Sequence, residues 1–339
     1  MDRVNHIRSI NYKLWIGLLI SGLFLYLSVR KVDLYRTWAI ILSSDLPLLT
    51  LVVLVSFLQY VLRAFRWYFL LEAIKKTGFS NRLASSLIGF AANCILPARL
   101  GEFVRANYLG LMEKISRSSV FGTIVTERIF DGLTLLMVLW IGFLGTKFPE
   151  ELNSVAGSLR AMGFSLLLIY ILVIVFLVGF KHSTSLFINI LEKLLFFLSQ
   201  NLQLRIIDVM KKFALGLVPI QNGYGWFIIT FYSLTIWFLS LCQIKLISYS
   251  IGVSVPFMAA FLILAMASLG VMIPSAPGFI GTFHLVVQYG FLLHGVAREE
   301  ALSAAVLWHA AFFFPTIFFG AIAFLWVKIP WVKVSQSPS

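Results

Sequence analysis

The amino-acid sequence predicts an all-α polytopic membrane protein with six full spans and two re-entrant or broken helical hairpins, arranged as an inverted-topology repeat. Three observations lead there. Of 339 residues, 60% are hydrophobic and 12% charged, whereas soluble domains are nearer half apolar and a quarter charged. Six stretches meet or approach the roughly 20 helical residues that cross a hydrocarbon core about 30 Å thick. Two further apolar stretches are too short and stop at proline. No run of mixed composition is long enough for a separate soluble catalytic domain.

The full spans are expected at 14–29, 46–71, 118–145, 160–180, 223–250 and 300–327. The first is short, follows a polar segment carrying Arg3, Arg8 and Lys13, and lacks a small-residue cleavage site, so it reads as an uncleaved span. Residues 84–96 (ASSLIGFAANCIL) end at Pro97. Residues 257–273 end at Pro274, and after PSAPG the chain is apolar again to about Leu293. Helix, Pro/Gly break, helix is the pattern of a re-entrant hairpin.

Charge placement orients the chain. If both hairpins return to their side of origin, 1–13, 63–83, 99–117, 181–222 and 328–339 lie on one side with 19 Lys and Arg. The opposite segments, 30–45, 146–160, 251–256 and 294–299, carry 6. Both termini are therefore expected on the cytoplasmic side of a plasma (inner) membrane. The net charge of +13 then belongs to loops at an anionic leaflet, and nucleic acid is not an expected partner. The whole of 1–339 reads as one membrane domain. A first repeat spans about 46–145 and a second about 223–327, with ILPARLGEF and MIPSAPGFI aligning Pro97 with Pro274 and Gly101 with Gly278. Segment 183–217 reads as a cytoplasmic interfacial helix: Arg205, Asp208, Lys211 and Lys212 face one way, and Ile206, Ile207, Met210 and Phe213 the other.

The candidate binding residues cluster in four stretches. In NCILPARLGEFVRA (93–106), Asn93 and Pro97 precede Arg99, Glu102 and Arg105, which recur every third residue on one arc of a helix starting near Leu100. A helix N-terminus with free N–H groups, a cation at Arg99 and close approach at Gly101 suits a phosphate. In TERIFD, Glu127, Arg128 and Asp131 lie inside a span, where ions default to a functional reading, or to ion pairs with Arg63 or Arg66. In RAFRW, Arg63 and Arg66 share a face and Trp67 suits the interfacial belt. In PSAPGFIGTFH, Pro274, Pro277, Gly278 and Gly281 allow a tight break, with Ser275, Thr282 and His284 its polar side chains. Cys94 and Cys242 have no ligand spacing around them, so neither a disulfide framework nor a zinc site is implied, and no metal, cofactor or catalytic residue is among the expected features.

These stretches, in this order, resemble the lysylphosphatidylglycerol synthase transmembrane-region family, also called flippase-like, over about residues 12–328. The shared pattern is Arg-x-x-Arg-Trp at a span end, LPARLGE with a following Arg, Glu-Arg-x-x-Asp inside a span and a late Pro-x-x-Pro-Gly-x-x-Gly. The resemblance implies a bacterial or archaeal inner-membrane protein that moves a lipid between leaflets. In multiple peptide resistance factors such a domain translocates aminoacylated phosphatidylglycerol made by an attached synthase. Stand-alone relatives are associated with polyprenyl-linked or hopanoid lipids, and some carry glycosyltransferase labels. The family's charged positions map to Arg63, Arg66, Arg99, Glu102, Arg105, Glu127, Arg128 and Asp131. No aminoacyltransferase domain follows Ser339, so synthase activity is not expected.

The expected function is a flippase for a phosphate-bearing lipid, with membrane lipids as partners and a lipid synthase or glycosyltransferase as a further partner. The alternatives are an integral-membrane transferase and a scaffold for a synthase. No nucleotide-binding loop is present to supply ATP energy.

Overall fold

The computed structural model describes residues 2–96, 99–146, 153–217 and 223–327. Pro97 and the tail 328–339 lie outside the described residues. What is described is helical. Helix α1 (Asp2–Val29) is followed, after an 87° bend, by the short α2 (Leu34–Leu42). Asp33 caps α2, its Oδ1 accepting from the N–H groups of Tyr35 and Arg36 at 2.9 and 3.1 Å. The 30–45 segment, expected between the first two spans, is thus largely an apolar helix with Tyr35, Trp38 and Leu42 exposed. Asp45 caps the next helix, α3 (Leu46–Leu71), through Leu48 N–H at 2.9 Å.

Helices α4 (Phe79–Ile95) and α5 (Gly101–Glu113) form the first hairpin, followed by α6 (Arg117–Gly145) and α7 (Asn153–His182). The expected interfacial helix is two pieces, α8 (Thr184–Leu194) and α9 (Gln200–Gly216). Helix α10 (Gly223–Ser250) leads to the second hairpin. This comprises α11 (Phe257–Met272), a 3-10 turn (Pro277–Phe279) and α12 (Thr282–Leu292), and α13 (Arg298–Trp326) follows. Among the described residues five helices are long and apolar enough to cross a membrane, or six if the bent α1–α2 pair is one span.

Helices α3 and α10 form the central pair and run antiparallel. Gln59 Nε2 donates to Ser240 Oγ at 2.8 Å, and two further bonds close the pair, seven residues along α3 to one side and three to the other. One is Arg66 Nη1 to Ser233 Oγ and the other Gln243 Nε2 to Ser56 Oγ, both at 2.7 Å. The same interval along the chain separates Arg66 from Gln243 and Ser56 from Ser233, so the two bonds exchange donor and acceptor helices.

The flanking helices pack in matching pairs. Helix α4 lies on α13 as α11 lies on α6, α4 packs α5 as α11 packs α12, and α5 meets α6 as α12 meets α13. Each cross-packing depends on a glycine. A Cβ on Gly142 of α6 would sit 2.8 Å from Leu262 N, and one on Gly320 of α13 would sit 2.9 Å from Leu87 O. The largest buried apolar cluster joins α6, α11, α12 and α13, with Leu139, Ile263, Phe291 and Trp308 among its members. The two hairpin tips meet inside this frame, where α4 packs on the 3-10 turn of the other hairpin.

Candidate functional site

Seven charged side chains on α3, α5 and α6 form one ionic cluster. Arg66 is fully buried; it bonds Asp131 Oδ1 at 2.6 Å and Glu127 Oε1 at 3.0 Å. Arg105 grips Glu127 with both terminal nitrogens, at 3.0 and 2.9 Å, the fork-to-carboxylate geometry that makes arginine the choice for such pairs. Arg128 reaches Asp131 at 3.1 Å, Glu127 at 3.2 Å and Glu102 at 3.3 Å. Arg63 reaches Asp131 at 3.4 Å. Helical spacing explains the convergence: Arg63 and Arg66 are three apart on α3, and Glu127 and Asp131 four apart on α6, so each pair shares a face.

Burial is uneven across the cluster. The side chains of Arg66 and Glu127 are 0% exposed and Arg105 1%, while Arg128 is 38% exposed, with Glu102 and Arg63 intermediate. The cluster is a locked ionic floor with a more open rim. Trp67 belongs to the floor and not to an interfacial belt. It is fully buried, its ring lies 3.7 Å under the Arg105 guanidinium carbon, and its indole N–H donates to Thr123 Oγ1 at 2.9 Å. The pairing of TERIFD with Arg63 and Arg66 anticipated from sequence is present.

The first hairpin tip departs from its expected form in two ways. Arg99 is not part of the helical arc with Glu102 and Arg105, because α5 begins only at Gly101 and Arg99 holds a φ of +54°. The first N–H of α5 is not free either: Asn93 Oδ1 accepts from Gly101 N–H at 2.7 Å. Gly101 does permit a close approach, but to its own hairpin, since a Cβ there would overlap Gly89 O and the Asn93 side chain. What remains for a ligand at this tip is the exposed Arg99, in electrostatic range of Glu102 and Arg128.

The second tip is built differently. Pro277 opens the 3-10 turn, and Gly278, Phe279 and Gly281 all hold positive φ, at +80°, +59° and +86°. The break is longer than in the first hairpin, so the glycine that opens α12 is Gly281, and Gly278 is not the structural counterpart of Gly101. Pro274 is exposed before the turn, and Ala276 N–H donates to Ser21 Oγ of α1 at 2.8 Å. The Arg99 guanidinium carbon sits 5.8 Å from the centroid of the Phe279 ring.

Several members were not legible in the sequence. Ser233 reads as an ordinary small residue in a span, and Phe279 as one more apolar residue. A second polar latch ties the hairpin base. Glu113 Oε1 accepts from Gly78 N–H and Asn81 Nδ2 at 2.9 and 2.8 Å, and Arg82 Nε donates to Ala64 O at 2.9 Å. The one available signal was charge inside a 17-residue apolar helix, at Arg82.

A bundle of long apolar helices around a buried arginine–carboxylate cluster and two broken hairpins defines a polytopic membrane protein. The chain belongs to the lysylphosphatidylglycerol synthase TM region family, whose model matches residues 14–320. It is 24% identical over 318 residues to the UPF0104 membrane protein MJ1595 of Methanocaldococcus jannaschii, covering 88% of this chain and 91% of that one. With the UPF0104 membrane protein PH1989 of Pyrococcus horikoshii it shares 25% identity over 298 residues, 83% of this chain and 88% of that one. It is also 22% identical over 320 residues to the glycosyltransferase AglD of Haloferax volcanii, covering 87% of this chain and 51% of AglD. The chain thus spans about half the length of that relative.

Proposed function

We propose that this protein is a flippase that moves a phosphate-bearing lipid between the leaflets of a plasma membrane, the head group passing between the hairpin tips while the acyl or prenyl chains stay in lipid. The observation that carries the reading is charge imbalance. Five arginines (63, 66, 99, 105 and 128) gather around three carboxylates (Glu102, Glu127 and Asp131). Among the described residues, Nε of Arg66, Arg105 and Arg128 finds no hydrogen-bond partner. The buried arginines are matched by Glu127 and Asp131, so the excess falls on the open guanidiniums, where an anion can share it. Arg99 and the rim guanidinium of Arg128 are the groups placed to receive a phosphate.

The matched packing of residues 46–145 and 223–327, with α3 and α10 antiparallel, supports an inverted repeat. Such repeats support alternating access around a central site. The segments richest in Lys and Arg support cytoplasmic termini. A transferase is the second reading, favoured by the likeness to the glycosyltransferase AglD. Against it, Glu127 and Asp131 are each held by more than one arginine, which leaves them poorly placed to serve as a general base. Helices α8 and α9 are the surface on which a synthase or glycosyltransferase partner would dock.

The test is leaflet translocation in proteoliposomes, with fluorescent phosphatidylglycerol and a fluorescent polyprenyl phosphate as probes. Movement of either, above empty liposomes and reduced in Arg99→Ala, is the expected result. Folded protein that moves neither overturns the proposal.

A further inference from the structure

The second half has its own buried cluster, and it is made of rings. Arg128 is the twelfth residue of α6, and the twelfth residue of α13 is His309. Glu102 is the second residue of α5, and the second of α12 is Phe283. Where the first half places an arginine beside a carboxylate, the second places an imidazole beside a phenyl ring, 5.4 Å apart between centroids. Against these packs His284, its ring centroid 4.7 Å from that of His309. Both histidines are buried, at 8% and 7% exposure, among Phe283, Trp308, Phe312 and Phe313.

The hydrogen bonds assign the protons. His309 Nε2 lies 2.7 Å from Gly278 O, and a carbonyl only accepts, so Nε2 carries hydrogen and the lone pair of the neutral ring is on Nδ1. His284 Nδ1 accepts from Gly281 N–H at 3.4 Å, a long bond at the start of α12, so its hydrogen is on Nε2. A proton added to His284 Nδ1 would break that bond and place positive charge at a helix N-terminus. A proton added to His309 Nδ1 breaks nothing and turns the bond to Gly278 into a stronger, charge-assisted one. Two cations at this ring separation repel, so the pair holds one proton at a time.

We propose that the His284–His309 pair is a proton-binding site that couples lipid translocation to proton movement; this rests on the flippase reading above. The step is simple: the lone pair of His309 Nδ1 takes a proton from hydronium, an N–H bond forms and water leaves. Gly278, whose carbonyl His309 holds, is the neighbour of Phe279, whose ring carries the Arg99 guanidinium. An anionic head group that draws Arg99 off Phe279 and a proton that tightens His309 on Gly278 therefore act on the same tip. Two ligands that bias one element are linked, each changing the affinity for the other by the same factor.

Among the elements packed on α12 and α13, α11 carries no ionisable side chain, α1 brings Tyr26, α2 brings Tyr35 and Arg36, α4 brings Arg82 and Cys94, α3 brings Tyr60 (hydrogen-bonded to Thr316), Arg63 and Arg66, α10 brings Cys242 and Lys245, and Arg99 stands at the first tip. Ser275 and Thr282, whose hydroxyls lie 3.2 Å apart, give the tip short polar groups through which a proton can pass.

The experiment uses proteoliposomes with the same two fluorescent lipids, a pH dye in the lumen and the membrane potential clamped at zero by valinomycin with equal potassium. If one proton moves per lipid, a one-unit pH difference shifts the steady-state lipid ratio about tenfold, and the dye records proton flux that depends on added lipid. His309→Gln can still donate from its amide to Gly278 O, and it is expected to keep lipid movement while losing the response to pH difference. A wild-type lipid ratio indifferent to the gradient overturns the coupling and leaves the flippase reading standing, and so does a His309→Gln protein that responds like wild type. If no lipid moves under any gradient, the flippase reading fails and the coupling with it. Should His309→Gln fold poorly, the wild-type ratio and dye trace decide alone.

Discussion

Arg99 and Phe279, each at the tip of a different hairpin and each at a positive φ, meet face to cation with 5.8 Å between guanidinium carbon and ring centroid. A non-glycine residue in that backbone region is uncommon, and here two of them meet. The contact is worth on the order of 0.5–1 kcal/mol at an exposed position. It is weak enough for a head-group phosphate to compete for Arg99.

That balance separates binding from stability at this residue. Arg99→Ala removes an exposed side chain with no carboxylate of the described residues within salt-bridge distance, so the unfolding temperature in detergent should stay close to wild type. Lipid translocation should fall at least about tenfold, since a charge-assisted hydrogen bond to phosphate is worth around 1.5–3 kcal/mol. Arg99→Lys should recover part of the transport, because it keeps the charge and loses the fork. Unimpaired transport in Arg99→Ala would move the phosphate site elsewhere.

Glu127 should show the opposite pattern. It neutralises Arg66 and Arg105, both buried, and contacts Arg128. Glu127→Ala leaves buried guanidiniums uncompensated, a class of change that costs about 3–5 kcal/mol, and should strongly lower the yield of monodisperse protein. Glu127→Gln keeps the shape and one acceptor and should fall between. A Glu127→Ala protein as heat-stable as wild type would mean that the cluster is wet rather than locked.

Much of this frame was written in hydrophobic length and in proline placement. Spans at 46–71, 118–145 and 223–250 need only a count of apolar residues, and both hairpin breaks follow Leu96-Pro97 and Ile273-Pro274. The ionic cluster was legible for the same reason: charge inside a 29-residue apolar helix such as α6 has to find partners. The failures have a common cause. Helix α2 needed the capping by Asp33, the burial of Trp67 needed the approach of Arg105 from another helix, and Phe279 carries no polar group to advertise itself. Contacts between elements distant in sequence leave no periodicity behind. The extra length of the second break likewise hid that Gly281, and not Gly278, opens α12.

Two glycines isolate the effect of that opening. Gly281 and Gly252 hold similar φ values, +86° and +75°, but a Cβ on Gly252 meets nothing within 4 Å, while one on Gly281 would run into Ser21 O of α1. Gly252→Ala should therefore cost only the backbone term, about 1–2 kcal/mol. Gly281→Ala should cost clearly more and loosen α1 from the hairpin, which limited proteolysis within the 30–33 bend would report. Equal losses in the two variants would show that α1 does not brace this tip.

The exchanged bonds across α3 and α10 supply the last test, because they look alike and carry different loads. Ser56 accepts from Gln243 Nε2, which also reaches Val52 O at 3.2 Å, so Ser56→Ala leaves the amide a neutral partner. The expected loss is about 0.5–1.5 kcal/mol. Ser233 accepts from Arg66, and Ser233→Ala takes an acceptor from a fully buried cation whose Nε is already unpaired. A hydrogen bond to a charged group is worth about 1.5–3 kcal/mol, so Ser233→Ala should be the more damaging of the two. With ten residues of helix between the two bonds along the pair, roughly 15 Å, the double variant should show the sum of the single losses. Chemical unfolding monitored in one detergent at one pH gives all three values. Equal single losses would mean that Arg66 draws nothing from Ser233 beyond what a neutral amide would, and that the carboxylates of α6 alone hold it in place.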